Sequence, residues 1–228
     1  MNFYISNKEL DDRISEIKRK IRLSMNGVVS DQMKNSGIIY KQNYGVSIPR
    51  IKEIAKDYAP NHDLAQRLWL LKIRESMILS TLLQPVDKFP LAMALSRVNE
   101  LDQMEMVEQI CMNLLCKLPY AGDLAVQCVS SDRLWMRITG FMLAVRAYNQ
   151  LHADEIKAVI DKAFQYADTE EFHLYKTIAL CLSRLCRLNA SVAGLISTKI
   201  TSDFKADTVA QQYIANEVKH EMDFLDNI

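Results

Sequence analysis

The sequence of 228 residues predicts an all-α protein built from stacked helix pairs. Its five prolines all lie in the first 119 residues, and only Gly122, Gly140 and Gly194 follow them. Tight turns between β-strands usually need Gly or Pro, so the second half of the chain disfavours a β-sheet. Apolar residues there recur with helical spacing instead. The helical segments repeat at intervals of roughly 30 to 40 residues, which is the spacing of helix-pair repeats.

The first helix is predicted from about Asn7 to Leu23, because apolar residues repeat in it at helical spacing. Ser6 and Glu9 have the spacing of a capping box, in which each side chain bonds a backbone N–H at the start of a helix. Residues 25–44 are more polar and show no clear period. No helix is therefore predicted in that segment.

Ser47 is expected to cap the next helix, which accepts Pro49 in its first turn. Stronger helices begin near positions 74, 104, 133, 170 and 206, and weaker helices alternate with them. This arrangement is typical of HEAT-like repeats. We therefore expect one HEAT-like domain over residues 1–228, a right-handed α-α superhelix whose concave surface binds a partner. The later helices are predicted at 62–71, 74–83, 90–98, 104–118, 122–129, 133–148, 153–166, 170–188, 190–200 and 206–222.

Composition narrows the functional classes. The hydrophobic fraction of 49% and the charged fraction of 25% are ordinary, and no apolar run approaches the ~20 residues that cross a membrane. No basic region followed by an apolar block begins the sequence, so no secretory signal is expected. The five cysteines lie in apolar helical segments without a Cys-x-x-Cys motif, which predicts core packing in a cytoplasmic protein. Without nucleotide-loop, triad or metal-ligand motifs, neither a cofactor nor a metal ion is expected.

Charge is distributed unevenly, although the formal net charge is zero. Residues 1–88 hold 15 Lys/Arg and 10 Asp/Glu, a net charge of +5, whereas residues 89–228 hold 13 and 18, a net charge of −5. Such asymmetry permits a basic surface on a neutral protein.

Two predicted helices combine an apolar stripe with a basic face. If both basic faces point inward, they would hold phosphates without reading a base sequence, whereas a solvated charged face is the alternative. The predicted stripes are Leu134, Ile138, Phe141, Met142 and Val145 in one helix, and Leu174, Ile178, Cys181, Leu182 and Leu185 in the other. The predicted phosphate-binding residues are Arg133, Arg137, Lys176 and Arg184 on the concave surface, with Lys41, Tyr44 and Arg50 near one rim.

Several short motifs occur in order along the chain: Met33-Lys34-Asn35, Tyr44 to Ile51, Leu68-Trp69 with Arg74-Glu75, Ser131-Asp132 with Leu134-Trp135, and Glu171-Phe172 with Lys176. Together they resemble the AlkD-type DNA alkylation repair proteins over most of the chain, and the Gly-Val-x-x-Pro block is the most specific piece. The resemblance implies a HEAT-like superhelix whose basic concave surface holds duplex DNA. It also implies removal of positively charged N3- or N7-alkylated purines.

The same resemblance assigns the catalytic carboxylate to Glu108. The family pattern Trp-Trp-Asp-x-Val-Asp is matched by residues 103–108, so Glu replaces the catalytic Asp and Met104 replaces an aromatic residue. The family's DNA-clamping Arg falls at Ile138, and a second aromatic residue of the cleft falls at Leu180. Lost positioning can lower a rate on the order of 100-fold. We therefore expect DNA binding with weak or absent base excision.

Two interpretations of Glu108 and two functional classes stay open at this point. Glu108 borders an apolar stripe, and its carboxylate is either catalytic or paired with an Arg of the adjacent repeat. The chain either acts on alkylated duplex DNA, held mainly by its phosphate backbone, or serves as a non-catalytic scaffold for DNA or a protein partner. A continuous positive stripe would favour DNA, and a mixed or apolar groove would favour a protein. We expect a monomer without a membrane partner.

Overall fold

The computed structural model describes residues 7–204 and 207–225. Over these residues the fold has thirteen α-helices and an isolated β-bridge between Gln42 and Ile73, so the predicted all-α class is confirmed. None of the described helices is long and apolar enough to cross a membrane. The helices are α1 (Lys8–Leu23), α2 (Gly27–Asn35), α3 (Ile48–Lys56), α4 (His62–Leu70), α5 (Arg74–Leu83), α6 (Leu91–Val98), α7 (Met104–Asn113), α8 (Ala121–Val129), α9 (Leu134–Ala147), α10 (Ala153–Gln165), α11 (Phe172–Cys186), α12 (Ala190–Asp203) and α13 (Val209–Leu225).

The chain divides into two compact units, Met1–Pro90 and Leu91–Ile228, here called unit 1 and unit 2. The single domain expected over residues 1–228 stays a prediction. Apart from α2 and the end of α7, the predicted helix limits agree with the structure to within about three residues. Ser6 of the predicted capping box and the predicted helix start at residue 206 lie outside the described residues.

Short polar side chains determine where several helices begin. Asn7 caps α1 by accepting a hydrogen bond from the N–H of Leu10 at 3.2 Å. Ser47 caps α3 as predicted, accepting a hydrogen bond from the N–H of Arg50 at 3.4 Å, and Pro49 lies in the first turn. Each cap satisfies a backbone donor that the helix itself leaves without a partner.

The sequence does not predict α2. None of its residues is buried, so it has no apolar stripe. Polar contacts hold it instead: the N–H of Asn26 donates to the carbonyl of Tyr44 at 2.8 Å, and the hydroxyl of Ser30 donates to the carbonyl of Asn43 at 2.9 Å. Gly45 permits this approach, because a Cβ at that position would lie 2.1 Å from the carbonyl oxygen of Asn26.

A buried ion pair holds the same loop from α5. Arg74 and Glu75 are 3% and 0% exposed, and their charged groups are 3.1 Å apart. The Glu75 carboxylate accepts hydrogen bonds from the N–H groups of Tyr44 and Val46 at 3.2 Å. The Arg74 guanidinium donates to the carbonyl of Val46 at 2.8 Å. Buried charges need such partners, so this pair fixes the backbone that carries Tyr44.

Unit 2 contains two rows of helices. In the first row α7, α9, α11 and α13 pack side by side, and in the second row α6, α8, α10 and α12 do the same. Helices that follow one another in sequence, such as α8 and α9, pack across the rows. The apolar stripe predicted for α11 is confirmed, because all five of its residues are buried. The first row therefore has one face on the core and another free to carry a site.

α9 is buried on more sides than its sequence predicts. Four of the five predicted stripe residues are buried, and Leu134 is half-buried. The face that contains Arg137 and Gly140 packs on α8. A Cβ at Gly140 would lie only 2.6 Å from the backbone nitrogen of Val129 in α8. The two rows therefore approach closely at this glycine.

The prediction of one helix over residues 104–118 is wrong in its last part. α7 ends at Asn113, Leu114 leaves the helical region with φ −130° and ψ −62°, and a short 3-10 helix follows at Leu115–Lys117. The change of direction buries Leu114, Leu115 and Leu118 together. A straight helix would point neighbouring leucines toward different faces.

Candidate nucleic-acid interface

A cleft of about 500 Å³ opens on the first row of unit 2. Successive helices of that row, α7, α9, α11 and α13, supply its walls. Met104, Glu108 and Leu180, which the resemblance assigns to the functional site, all line this one cleft. Its other polar and aromatic lining residues include His173, Lys176, Tyr213, Glu217, His220 and Glu221.

Glu108 presents a half-buried carboxylate to the cleft. Burial raises the pKa of this carboxyl above its ordinary value, whereas the guanidinium of Arg146 and, less strongly, the neighbouring His173 act to lower it. Among the described residues, no side chain makes a hydrogen bond or a salt bridge with the Glu108 carboxylate. The pairing with an Arg of the adjacent repeat is thus not formed, since Arg146 in α9 acts on Glu108 without a direct contact.

α11 carries two of the predicted phosphate-binding residues, Lys176 and Arg184. Lys176 lines the cleft, and its ammonium lies 4.5 Å from the centroid of the Phe172 ring and 5.2 Å from that of the Tyr213 ring. The guanidinium of Arg184, two turns further along α11, lies 5.6 Å from the centroid of the Tyr148 ring. These cation–π contacts leave the hydrogen-bond donors of both cations able to reach an anion.

The structure does not bring Arg133 and Arg137 to the cleft. The Arg137 guanidinium stacks 4.3 Å from the centroid of the Tyr166 ring at the end of α10, and its Nε donates to the carbonyl of Ser131 at 2.6 Å. Arg133 is exposed and donates to the side chain of Asn99. Arg137 belongs to the face of α9 that packs on α8, whereas Arg133 precedes the helix. A DNA contact by either of them stays a prediction.

In unit 1, polar neighbours order the predicted contact residues. The Tyr44 hydroxyl accepts hydrogen bonds from the amide of Gln42 at 2.6 Å and from Nε of Arg22 at 3.5 Å. Arg50 is exposed, and its guanidinium pairs with the carboxylate of Glu53, one turn along α3, at 2.9 Å. Lys41 is exposed as well. No sequence pattern marks Arg22, because only the fold brings it to Tyr44. DNA contacts by Lys41, Tyr44 and Arg50 stay predictions.

The cleft carries both signs of charge. Glu108, Glu217 and Glu221 contribute carboxylates to its lining, next to the ammonium of Lys176 and two histidines. The guanidinium of Arg187 neutralises Glu221 through two hydrogen bonds of 2.5 and 2.9 Å. The described lining is therefore mixed and is not a continuous positive stripe. A polyanion would contact the cations at its side, while the carboxylate of Glu108 would attract a cationic group.

An aromatic cluster that no sequence pattern predicts lies beside the cleft. The resemblance places non-aromatic residues, Met104 and Leu180, at the family's two aromatic positions. The fold nevertheless gathers rings from α9, α11 and α13, and their contact depends on the packing of three helices. The sequence shows only that the aromatic residues of α11 lie close to one another along that helix. We call this cluster the aromatic ridge; it consists of Trp135, Phe172, His173, Tyr175 and Tyr213.

The cysteines pack in the core. All five are free thiols, and all except Cys116 are buried, as predicted. Burial raises the pKa of Cys128 and Cys186 to about 12 and also raises the pKa values of Cys111 and Cys181. Protonated thiols are poor nucleophiles and poor metal ligands. In the described part of the chain, no three His, Cys, Asp or Glu residues are grouped so that they could hold a metal ion.

A comparison with known families matches the part of the chain that contains these motifs. The family model for the DNA alkylation repair enzyme matches residues 18–191, most of the chain. The chain belongs to the DNA alkylation repair enzyme family. Met104 and Glu108, to which the resemblance assigns the catalytic pattern, both line the cleft, and their role in catalysis stays a prediction.

A solved structure shows the same fold. It represents a new family of proteins related to the HEAT-like repeat DNA glycosylases, with affinity for branched DNA structures. The two structures align with a TM-score of 0.75 and 11% sequence identity, over 90% of this chain and 94% of that chain. The HEAT-like fold predicted for this member of the DNA alkylation repair enzyme family is therefore confirmed. No curated protein matches the sequence.

Proposed function

We propose that this chain binds DNA at the cleft of unit 2 and slowly hydrolyses the N-glycosidic bond of cationic N3- or N7-alkylated purines there. The observation that carries the proposal is the Glu108 carboxylate. It lies half-buried in the cleft and has no hydrogen-bond partner among the described residues, and the resemblance assigns the catalytic carboxylate to it. A carboxylate held in that way is available to a positively charged ligand.

The chemistry makes modest demands on the protein. An alkylated purine already carries a positive charge, so the bonding electrons of the C1′–N bond can leave with the base and neutralise it. The sugar becomes positively charged as that bond breaks, and water then adds at C1′ and releases a proton. A partly desolvated carboxylate stabilises the positive sugar more strongly than one in bulk water, and it can also orient the water molecule. Glu108 has the required charge and location.

Two features support a low rate. The resemblance implies that aromatic residues at positions 104 and 180 position the sugar, and Met104 and Leu180 offer no ring there. Glu is also one methylene longer than the Asp that it replaces, so its carboxylate is less firmly placed. Positioning losses of this kind cost on the order of 100-fold in rate while the charged group survives.

Phosphate binding is assigned to cations beside the cleft. Lys176 lines the cleft from α11, Arg184 lies further along the same helix, and Arg146 lies on α9, which also forms a wall of the cleft. Three phosphate contacts would release counterions on binding, so affinity should fall steeply as salt is added. The structural neighbour has affinity for branched DNA, which makes a branched substrate a natural second ligand to test.

A protein partner is the second candidate, and the mixed charge of the cleft favours it. Glu217 would repel a phosphate backbone that crossed the far side of the cleft, where Arg187 is already paired with Glu221. They would suit a peptide that carries both signs of charge. In this alternative, Glu108 would receive a basic side chain of the partner.

Binding measured over a salt series separates the two candidates. Labelled duplex and branched DNA should bind, with affinity falling as salt rises, and Lys176→Gln should weaken binding and reduce the salt slope by about one. Lys157→Gln is the matched control, because Lys157 is an exposed lysine of α10 in the second row. Equal loss in both variants would remove the cleft from the interface. Failure to bind either DNA would leave the protein-partner candidate.

A further inference from the structure

The aromatic ridge forms an unbroken path of rings across three helices. The His173 ring lies 5.8 Å from that of Trp135 in α9 and 5.4 Å from that of Phe172. The Tyr175 ring lies 5.7 Å from that of Phe172 and 5.5 Å from that of Tyr213 in α13. Three of these four contacts are edge-to-face, with interplanar angles of 62° to 79°. Such contacts favour a defined orientation for each ring.

The ridge is not part of the core. The side chain of Phe172 is 52% exposed, His173 is exposed, and the other three rings are half-buried. An ordered group of exposed rings beside a cleft is typical of a binding surface, whereas single exposed apolar residues are common on any protein. His173 and Tyr213 also line the cleft of Glu108. The ridge and the cleft therefore form one continuous surface.

The chemistry of the ridge suits an unpaired nucleobase. In a duplex, each base is stacked between its neighbours and offers only its edges in the grooves. Flat ring faces on a protein can therefore stack only on bases that have left the duplex. The ammonium of Lys176 lies 4.5 Å from the centroid of the Phe172 ring, where it can bind the phosphate that precedes or follows a stacked base.

We propose that the aromatic ridge stacks unpaired bases, so that this chain binds DNA with unpaired nucleotides more tightly than it binds blunt duplex. The proposal rests on the proposed function only in taking DNA as the ligand. It requires neither Glu108 nor base excision. The ridge would hold a single strand or an unpaired end next to the cleft.

Tryptophan fluorescence reports directly on this surface. The chain has two tryptophans; Trp69 is 1% exposed in unit 1, whereas Trp135 belongs to the ridge. A short oligothymidylate should quench the emission of the full chain at physiological salt. Trp135→Phe retains a ring but should abolish that quenching. A blunt duplex without unpaired bases should quench less at equal occupancy.

Phe172→Ala provides the decisive variant. It should weaken oligothymidylate binding about tenfold, the effect of losing one stacked base, and leave blunt-duplex affinity within about twofold. Phe224→Ala is the matched control, since Phe224 in α13 is 56% exposed and lies outside the ridge. The ridge proposal is overturned if the chain binds duplex but shows no preference for the oligothymidylate, or if Phe172→Ala leaves oligothymidylate binding unchanged. Either result leaves the proposed function intact. A chain that binds neither DNA overturns both.

Discussion

Gly45 offers a quantitative test of how the loop of the family motif holds α2. It has φ +68°, a backbone conformation that L side chains rarely adopt, and a Cβ there would lie 2.1 Å from the carbonyl oxygen of Asn26 and 2.8 Å from the nitrogen of Ser30. The left-handed conformation costs about 1 to 2 kcal/mol, and pushing α2 away from the loop costs about 1 to 3 kcal/mol more. Gly45→Ala should therefore lower the free energy of unfolding by about 2 to 5 kcal/mol.

Two neighbouring glycines separate these contributions. Gly37 has φ +82°, but no atom lies within 4 Å of the place that a Cβ would occupy. Gly37→Ala should therefore lower the free energy of unfolding only by the cost of the left-handed conformation, about 1 to 2 kcal/mol. Gly27 has neither constraint, and Gly27→Ala should be neutral or stabilising by up to about 1 kcal/mol. Urea unfolding followed by circular dichroism gives the three values. If Gly45→Ala costs no more than Gly37→Ala, the close contact between α2 and the loop is refuted.

Two further predictions concern unit 2. Gly140→Ala should lower the free energy of unfolding by about 1 to 3 kcal/mol, because its Cβ would meet the backbone of α8. Gly194 in α12 has open space around it, so Gly194→Ala should raise the free energy of unfolding by about 0.5 to 1 kcal/mol. Urea midpoints that move in the same direction for both variants would contradict this. Burial raises the pKa of Glu108 in the folded chain. At pH values between the ordinary glutamate pKa and this raised pKa, the folded chain holds a proton that the unfolded chain releases. Stability therefore falls as pH rises through that range. Glu108→Gln should therefore be more stable than the natural chain at neutral pH, and equally stable below the ordinary glutamate pKa; a variant less stable at neutral pH would indicate a structural salt bridge.

Much of unit 2 could be predicted from apolar spacing alone. The stripe of α11 is correct in every residue, because one helix face buried on a core leaves a period that the sequence displays. The shared location of Met104, Glu108 and Leu180 could be expected from the family resemblance. The same resemblance places the clamping Arg at Ile138, which is fully buried.

Features that depend on packing between helices could not be predicted. Arg137 lies on a face that looked polar, yet Gly140 lets that face pack on α8, and the guanidinium stacks on Tyr166 of α10. α2 has no buried residue, so hydrogen bonds to a distant loop hold it and no period marks it. The aromatic ridge draws rings from three helices, whose contacts are set by the order of the row.

The catalytic role of Glu108 is tested most directly by release of the base from duplex DNA that carries 7-methylguanine or 3-methyladenine, with the natural chain compared with Glu108→Gln. We expect slow release by the natural chain, above the spontaneous rate, and the rate should begin to fall on the acid side at a higher pH than an ordinary glutamate would give. Glu108→Gln should reduce release to the spontaneous rate while it keeps salt-sensitive duplex binding. Release that is the same for both proteins, whether fast or at the spontaneous rate, would contradict the assignment of Glu108 as the working carboxylate.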